Sequence, residues 1–412
     1  MNRTFDEQQA PPSQRLSSRR RTILLVIAGL LALLIAVIVV FAAKWPFTHA
    51  KVASDLEAAT QSQVTINNFH QTFFPHPGCV AQGVSFRRPI DLPPMTVRTL
   101  TVVGSYAGLL SRSIPLLRLE GLRAVIPPLT GANRGLVRPG GTTNTKIGEL
   151  VVEDAVLEFQ HGSASGAPGS GLQFQVHEFT LENPGTDRVM PFASKLHTPI
   201  PAGEIETRGS LGPWKGQDPM ATNVSGTYQL TNADLNTIRG LGGKLSSQGK
   251  YQGPLQQMSV EGSAKTPDLQ VNNGNKTSLT TQFSATVNAE NGNIELQQVI
   301  AKLGVGGRTE LTAHGSIIGQ AGKTGKVASL DLQMDHGRID DLLRLLANSP
   351  EAPMTGTFSF KGHGTLQSAK KSFYDGLTLG GTFEIADGKF TNPQTQGDIE
   401  ALSEQAEGNP KG

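Results

Sequence analysis

From residue 172 onward, apolar and polar positions alternate one for one over short stretches. The pattern appears in LQFQV (172–176), FSATVNA (283–289), NIELQQV (293–299), TELTAHGSI (309–317), LDLQM (330–334) and GTFSFKG (356–362). In FSATVNA, Phe283, Ala285, Val287 and Ala289 fall on one side and Ser284, Thr286 and Asn288 on the other. Because side chains on a strand point alternately up and down, each stretch predicts an antiparallel strand with one apolar and one wet face. Asn291-Gly292 and Asp387-Gly388 have the composition of two-residue hairpin turns. Three segments break the alternation and predict helices. THAKVASDLEAATQ (48–61) places Val52, Leu56 and Ala59 on one face. NADLNTIRGL (232–241) has Asn232 available as its N-cap, and GRIDDLLRLLANSP (337–350) carries Ile339, Leu342, Leu343 and Leu346 at helical spacing before Pro350. The contexts of the last two echo one another: YQL-TNADL leads to GKYQGPL as LQM-DHGRI leads to FKGHGTL, about a hundred residues apart. That is a repeated strand–helix–strand unit, too widely spaced for a solenoid.

A different pattern opens the chain. Residues 22–43, TILLVIAGLLALLIAVIVVFAA, are 22 positions without a charge. As a helix they span about 33 Å, enough for a hydrocarbon core of about 30 Å. Arg15, Arg19, Arg20 and Arg21 precede the run and only Lys44 and Lys51 follow closely. This bias predicts an uncleaved anchor with residues 1–21 in the cytoplasm and residues 44–412 across the membrane, Trp45 and Phe47 falling at the far interface. A cleavable signal would have a shorter apolar run and a small-residue exit, whereas Lys-Trp-Pro follows Ala42-Ala43 here. The tail before Arg15 and the stretches 131–146 and 161–171 read as segments without compact structure.

The fold class that follows is mainly β: a transmembrane helix, then an elongated, curled antiparallel sheet with a few short helices. Its difficulty is physical. A dozen or more half-apolar strands present a long greasy face that two or three short helices cannot cover. A second sheet, closure of the sheet on itself, or a nonpolar ligand would solve it. Aromatic residues are only 6% of the chain and there are two Trp. Small and medium apolar side chains favour a groove or gutter partly filled by ligand over a sandwich with heavy anchors. The candidate lining is Phe283, Val287, Ile294, Leu296, Leu311, Leu330, Leu332, Met334, Phe358 and Phe360.

Composition and chemistry narrow the function classes. The net charge of +2 gives no global field for nucleic acid, so none is expected as a partner. One Cys cannot form an intramolecular disulfide. That residue, Cys79, lies in TFFPHPGCVAQGVSFRRP (72–89) beside His76. A thiol nucleophile needs a base and an orienting group. Pro75, Pro77 and Gly78 explain the stretch more simply, as a bend between two strands with Cys79 as a small buried hydrophobe. The nine histidines show no metal-ligand spacing; His314, His336 and His363 lie on strand or turn positions, where a loosely built metal site among them is disfavoured. Gly304-Val305-Gly306-Gly307 lacks the helix that a phosphate loop needs and reads as a turn. Glu153-Asp154 reads as a bulge or turn, and Arg87-Arg88 as a solvated strand end. No active site, cofactor or metal is expected, and an envelope enzyme acting on glycans is disfavoured for want of a carboxylate pair.

The order of segments carries a resemblance. An anchor, a short helix and VTINNFHQTFFPHPGCVAQGVSFRR (64–88) resemble the start of the AsmA family of envelope proteins. The likeness continues through LTVVGSYAGLLSRSIPLLRLEGLRAVIP (100–127) and IGELVVEDAVLEF (147–159). It also runs through LTNADLNTIRGLGGKLSSQGKYQGPLQQMSVEGSAKTPDLQV (230–271) and FEIADGKFTNPQTQGDIEALSEQAEGNP (383–410). The resemblance implies an inner-membrane anchor at 22–43 carrying a periplasmic β-groove region over 44–412, similar to TamB and the bridge-like lipid-transfer proteins. It implies phospholipid acyl chains as groove partners and a role in phospholipid transport, homeostasis and outer-membrane biogenesis. Outer-membrane or other envelope proteins are the alternative partners, with the chain acting as a scaffold in their assembly or targeting. Chains of this kind continue past an LSEQAEGNP-like segment with further strands, so a truncated or split version of a longer protein is also an expectation.

Overall fold

The computed structural model describes residues 45–87, 93–126, 145–159, 172–216, 218–304, 306–319, 325–346, 351–367 and 373–406. The predicted anchor at 22–43, most of the loops at 131–146 and 161–171, and the tail before Arg15 lie outside them. Among the described residues no helix is long and apolar enough to cross a membrane. The chain divides into a short unit, 1–52, and a large one, 53–412, which contains the sheet. In the short unit the rings of Trp45 and Phe47 pack edge to face at 5.7 Å.

The fold is mainly β, with 64% of residues in strands, and consists of one large curled sheet and a few short helices. Its first half comprises β1 (Gln63–Thr72), β2 (Gly78–Arg87), β3 (Met95–Val103), β4 (Ser113–Glu120), β5 (Arg123–Ile126), β6 (Lys146–Phe159), β7 (Leu172–Glu182), β8 (Met190–Pro199) and β9 (Ala202–Leu211). The second half comprises β10 (Asn223–Asp234), β11 (Leu241–Gly242), β12 (Lys244–Pro254), β13 (Met258–Val271), β14 (Thr277–Val287), β15 (Ile294–Leu303), β16 (Thr309–Gly319), β17 (Lys326–Arg338), β18 (Met354–Gln367) and β19 (Leu377–Phe390). The helices are α1 (His49–Thr60), α2 (Tyr106–Ser111), α3 (Ile339–Leu346), α4 (Phe373–Gly376) and α5 (Pro393–Ala406).

Pairing follows chain order from β1 to β19, with β4 and β5 sharing one place in the sheet and the two-residue β11 joining β13. One junction departs from the expected antiparallel pattern: β6 runs parallel to both β4 and β5. There the β4–β5 chain breaks at Gly121, whose N–H bonds the Glu153 carbonyl, opposite a bulge at Asp154 with positive φ. The acidic pair Glu153-Asp154 is thus a bulge inside a single long strand.

Other sequence expectations meet specific corrections. Asn291-Gly292 is not a two-residue turn; β14 and β15 are joined by 288–293, where Gly292 N–H bonds the Asn288 carbonyl. Asp387-Gly388 lies within β19 and forms a bulge with Asp387 at positive φ, where the register against β18 shifts. The helix expected at 232–241 shrinks to one 3-10 turn, Leu235–Thr237. Asn232 is not its cap. That role falls to Asp234, whose carboxylate accepts from the Asn236 N–H at 3.0 Å. Gly240, Gly242 and Gly243 follow within six residues and give a longer helix no support. The internal echo is nevertheless real. Asn232 and His336 occupy matching places, both with φ 54°, and each lies at a register shift in its strand. The same bulge therefore turns the chain off the sheet twice.

Candidate apolar face and its surroundings

The register sorts side chains into two faces. One cross-strand row runs from Phe69 through Ala81, Leu100, Leu119, Val152, Phe179, Ser194, Thr207 and Tyr228. It continues through Gly249, Gly262, Phe283, Val299, Ala313, Leu332, Gly362 and Gly381. No charged residue interrupts it. The neighbouring row is its opposite: Glu120, Glu153, Glu178, Lys195, Glu206, Gln229, Gln248, Ser263 and Gln282 stand side by side. Directly opposed ion pairs lace this polar face, including Lys195–Glu206 and Lys250–Glu261, both at 3.0 Å. A sheet with one uncharged and one ionic face has to hide the former.

All ten candidate lining residues fall on the apolar face. Phe283 and Val287 oppose Val299 and Ile294, and Leu296 opposes Ala285. Leu311 opposes Ala301, Leu330 opposes Gly315, and Met334 opposes Phe360. Phe358 and Phe360 stack at 6.5 Å, and Phe358 meets Phe383 at 6.3 Å. Nine of the ten are half-buried and Met334 is buried. Phe383 and Leu379, which the sequence reading did not single out, extend the face onto β19, where they are 69% and 54% exposed. The LTLGGTF alternation at 377–383 was the available signal.

The face is not open along its whole length. Cys79, Ala81, Val84, Val97 and Leu100 on β2 and β3 are fully buried, and Val152, Ala155 and Val176 form a core cluster with Leu119, Leu150 and Phe179 around it. Farther on, α3 packs against β13, β14 and β18 at once, so the strands between them must bend around it. Its position is anchored by polar contacts. Thr309, itself fully buried, donates through Oγ1 to Asp341 at 2.7 Å and accepts from the Arg338 N–H, while Asn275 donates to the Arg344 carbonyl. Ile339 is buried and Leu346 at the other end of the helix is exposed. The middle of the face carries hydroxyls: Tyr251 and Thr207 meet at 2.6 Å, and Tyr228 and Ser247 at 3.1 Å. Both tyrosine rings lie over glycines, since a Cβ on Gly226 would touch Tyr251 and one on Gly249 would touch Tyr228.

A cavity of about 1120 Å³ lies over β9–β15, but it does not coincide with the apolar lining. It is walled mainly by polar-face residues such as Arg208, Gln229, Gln248, Lys250 and Gln282, and Phe283 alone of the ten candidates reaches it.

The chemistry of the remaining candidates is now plain. Cys79 is fully buried, and burial pushes its thiol up to about 12, so at neutral pH it carries no thiolate. Pro77 is buried, and a Cβ at Gly78 would lie 2.1 Å from the Val102 carbonyl oxygen, which is the physical need for glycine after the bend. His76 is exposed on the turn. His314 and His363 do meet, on the two oxygens of Asp331 at 3.4 and 2.9 Å, while His336 stands apart at its bulge. The His363 hydrogen bond holds the Asp331 carboxyl below its ordinary range. A second such group, His177 and His197 on Glu204, escaped the sequence reading because three strands bring it together. Among the described residues no group of three or more such side chains is arranged to hold a metal ion. Gly307 N–H bonds the Gly304 carbonyl, as a turn requires.

No family model and no curated protein matches the chain.

Proposed function

We infer that this protein is a membrane-anchored carrier of nonpolar chains, holding phospholipid acyl groups on the apolar face of its sheet. The observation that carries the reading is the uncharged row from β1 to β19, left exposed at Leu379 and Phe383. Transfer of each buried CH₂ from water is worth about 0.8 kcal/mol, so a greasy trough needs no polar constellation to retain acyl chains. Glycines set under flat-lying aromatic rings keep the middle of that face shallow. The hydrophobic run at 22–43 and the resemblance to the AsmA family support an inner-membrane anchor with the sheet in the periplasm. They also support a part in phospholipid traffic and outer-membrane biogenesis. The reading is of a binding protein and not an enzyme, and the burial of Cys79, which raises its thiol, supports it. The cavity on the polar face takes no part in it.

The deciding experiment is lipid analysis by mass spectrometry of the full chain extracted gently from membranes. Phospholipid is expected at near-stoichiometric level, and should fall when Leu332 and Phe360 are replaced by Asp and Ser. A protein that emerges folded and lipid-free ends this reading.

A second reading has its own support. β19 spans Leu377–Phe390, is exposed over almost its whole length, and pairs on one side only among the described residues. A strand edge of that length can accept a strand from another polypeptide. In that case a client protein co-purifies in place of lipid, and proline on β19 abolishes its capture.

A further inference from the structure

The bend between β1 and β2 has a property that neither reading uses. Its tip projects two adjacent phenylalanines: Phe73 is 57% exposed and Phe74 86% exposed. Tyr106, at the start of α2, is also exposed and donates its hydroxyl to the Phe73 carbonyl. The aromatic group is held by backbone that has little freedom. Pro77 is buried, its carbonyl accepts from the Gly104 N–H, and Gly78 packs against the Val102 carbonyl. α2 is itself pinned, with Ser105 capping Gly108 N–H at 2.9 Å and Arg112 closing the C-terminus in the left-handed region. An exposed aromatic tip on a rigid frame loses little conformational entropy on docking.

Exposed cations lie on the α2 side of it. Segments 63–87 and 93–119 contain no Asp or Glu. Of their four arginines, Arg98 and Arg118 pair with Asp154 and Glu153 at 3.4 and 3.6 Å, and Arg87 stands opposite Gln63, a strand length from the tip, which leaves Arg112. Arg112, at the other end of α2 from Tyr106, is exposed, and its carbonyl accepts from the N–H of the exposed Lys146. Amphipathic rings with cations beside them, and no carboxylates on the same segments, match the interfacial zone of a bilayer that contains anionic lipid.

We propose that the Phe73–Phe74 tip, with Tyr106 beside it and Arg112 and Lys146 behind, is a membrane-insertion knuckle that seats this end of the sheet in the headgroup region of a phospholipid bilayer. The proposal concerns docking of the protein and holds whatever occupies the apolar face.

The test uses the full chain in lipid nanodiscs, carrying Phe74→Trp as a local reporter read against the parent protein. Bromine-labelled phosphatidylcholine and phosphatidylglycerol are placed either in the disc or in added vesicles. The emission contributed by position 74 should be blue-shifted and quenched in one of the two arrangements, and the arm that responds tells which bilayer is met. Phe74→Ser should lower vesicle or disc-surface engagement on the order of tenfold, with the melting temperature unchanged. Emission typical of an indole in water in both arms overturns the proposal. So does membrane engagement that persists in Phe74→Ser and disappears only with added salt.

Discussion

β2–β3 and β18–β19 are built on the same alternation and meet opposite fates. Cys79, Ala81, Val84, Val97 and Leu100 are sealed from water, whereas Leu379, Phe383 and Ile385 stand in it. The alternation is no weaker in the second pair: Phe358, Phe360 and Phe383 are larger than every apolar side chain on β2 and β3 except Phe86. What differs is place. Strands near the start of the sheet are covered, and among the described residues β19 has a neighbour on one side only. Apolar content along a strand therefore reports which face wants to leave water, and not whether anything lies there to receive it.

The comparison can be broken at several points, with effects that decline in order. Leu100→Ala should be the most damaging, lowering stability by about 2–5 kcal/mol in denaturant unfolding, because a fully buried leucine leaves a cavity. Gly78→Ala should cost about 1–3 kcal/mol by the same measurement, since its methyl group has to displace the Val102 backbone. Phe383→Ser on β19 should change stability by no more than about 0.5 kcal/mol, as at other exposed sites. It should nevertheless reduce bound lipid in the extracted protein. Equal destabilisation by Leu100→Ala and Phe383→Ser would show that the two regions are equally packed and remove the contrast.

The smallest expected effect is one of pH, at an ion pair between β10 and β12 that lies outside both regions. Hydrogen bonds from Lys244, then from the Asn236 N–H, hold the Asp234 carboxyl down to about 2. Its unfolded value is about 3.9, so as pH falls the unfolded chain takes up the proton first. The stabilisation from this group is complete above about pH 4 and disappears as pH falls toward 2. Asp234→Asn should lower the melting temperature slightly at pH 7 and flatten its fall between those limits by the same amount, both effects small because the pair is exposed to solvent.

Much of this architecture was legible in the chain. The six alternating stretches all became strands of one sheet, and the ten candidate residues all came to one face, because a period of two is a local property that pairing preserves. Helix 337–350 was readable from Ile339, Leu342, Leu343 and Leu346, and Ile339–Leu346 is helical. Its counterpart at 232–241 was not, since strand pairing carried β10 through Asn232 to Asp234 before a helix could start. Asn-Gly and Asp-Gly marked places where φ turns positive, at Gly292 and at Asp387, but could not say whether the chain would reverse or only bulge. The histidine–carboxylate group on Glu204 was invisible because its members lie on three strands and meet only through register, whereas of the three histidines weighed together register brings His314 and His363 to Asp331 and leaves out His336.

The order of residues alone determined the six alternating strands and the helix around Ile339–Leu346, which side of each is apolar, and that Pro75, Pro77 and Gly78 bend the chain. It also determined that residues 22–43 form an uncharged run long enough to cross a bilayer. Tertiary structure decided the parallel entry of β6, the sealing of the face at β2–β3, its exposure at β19 and the seat of α3 across β13, β14 and β18. Alternation and steric restriction act between near neighbours and are written residue by residue. Burial depends on what other surface arrives from far along the chain, and no single segment carries that information.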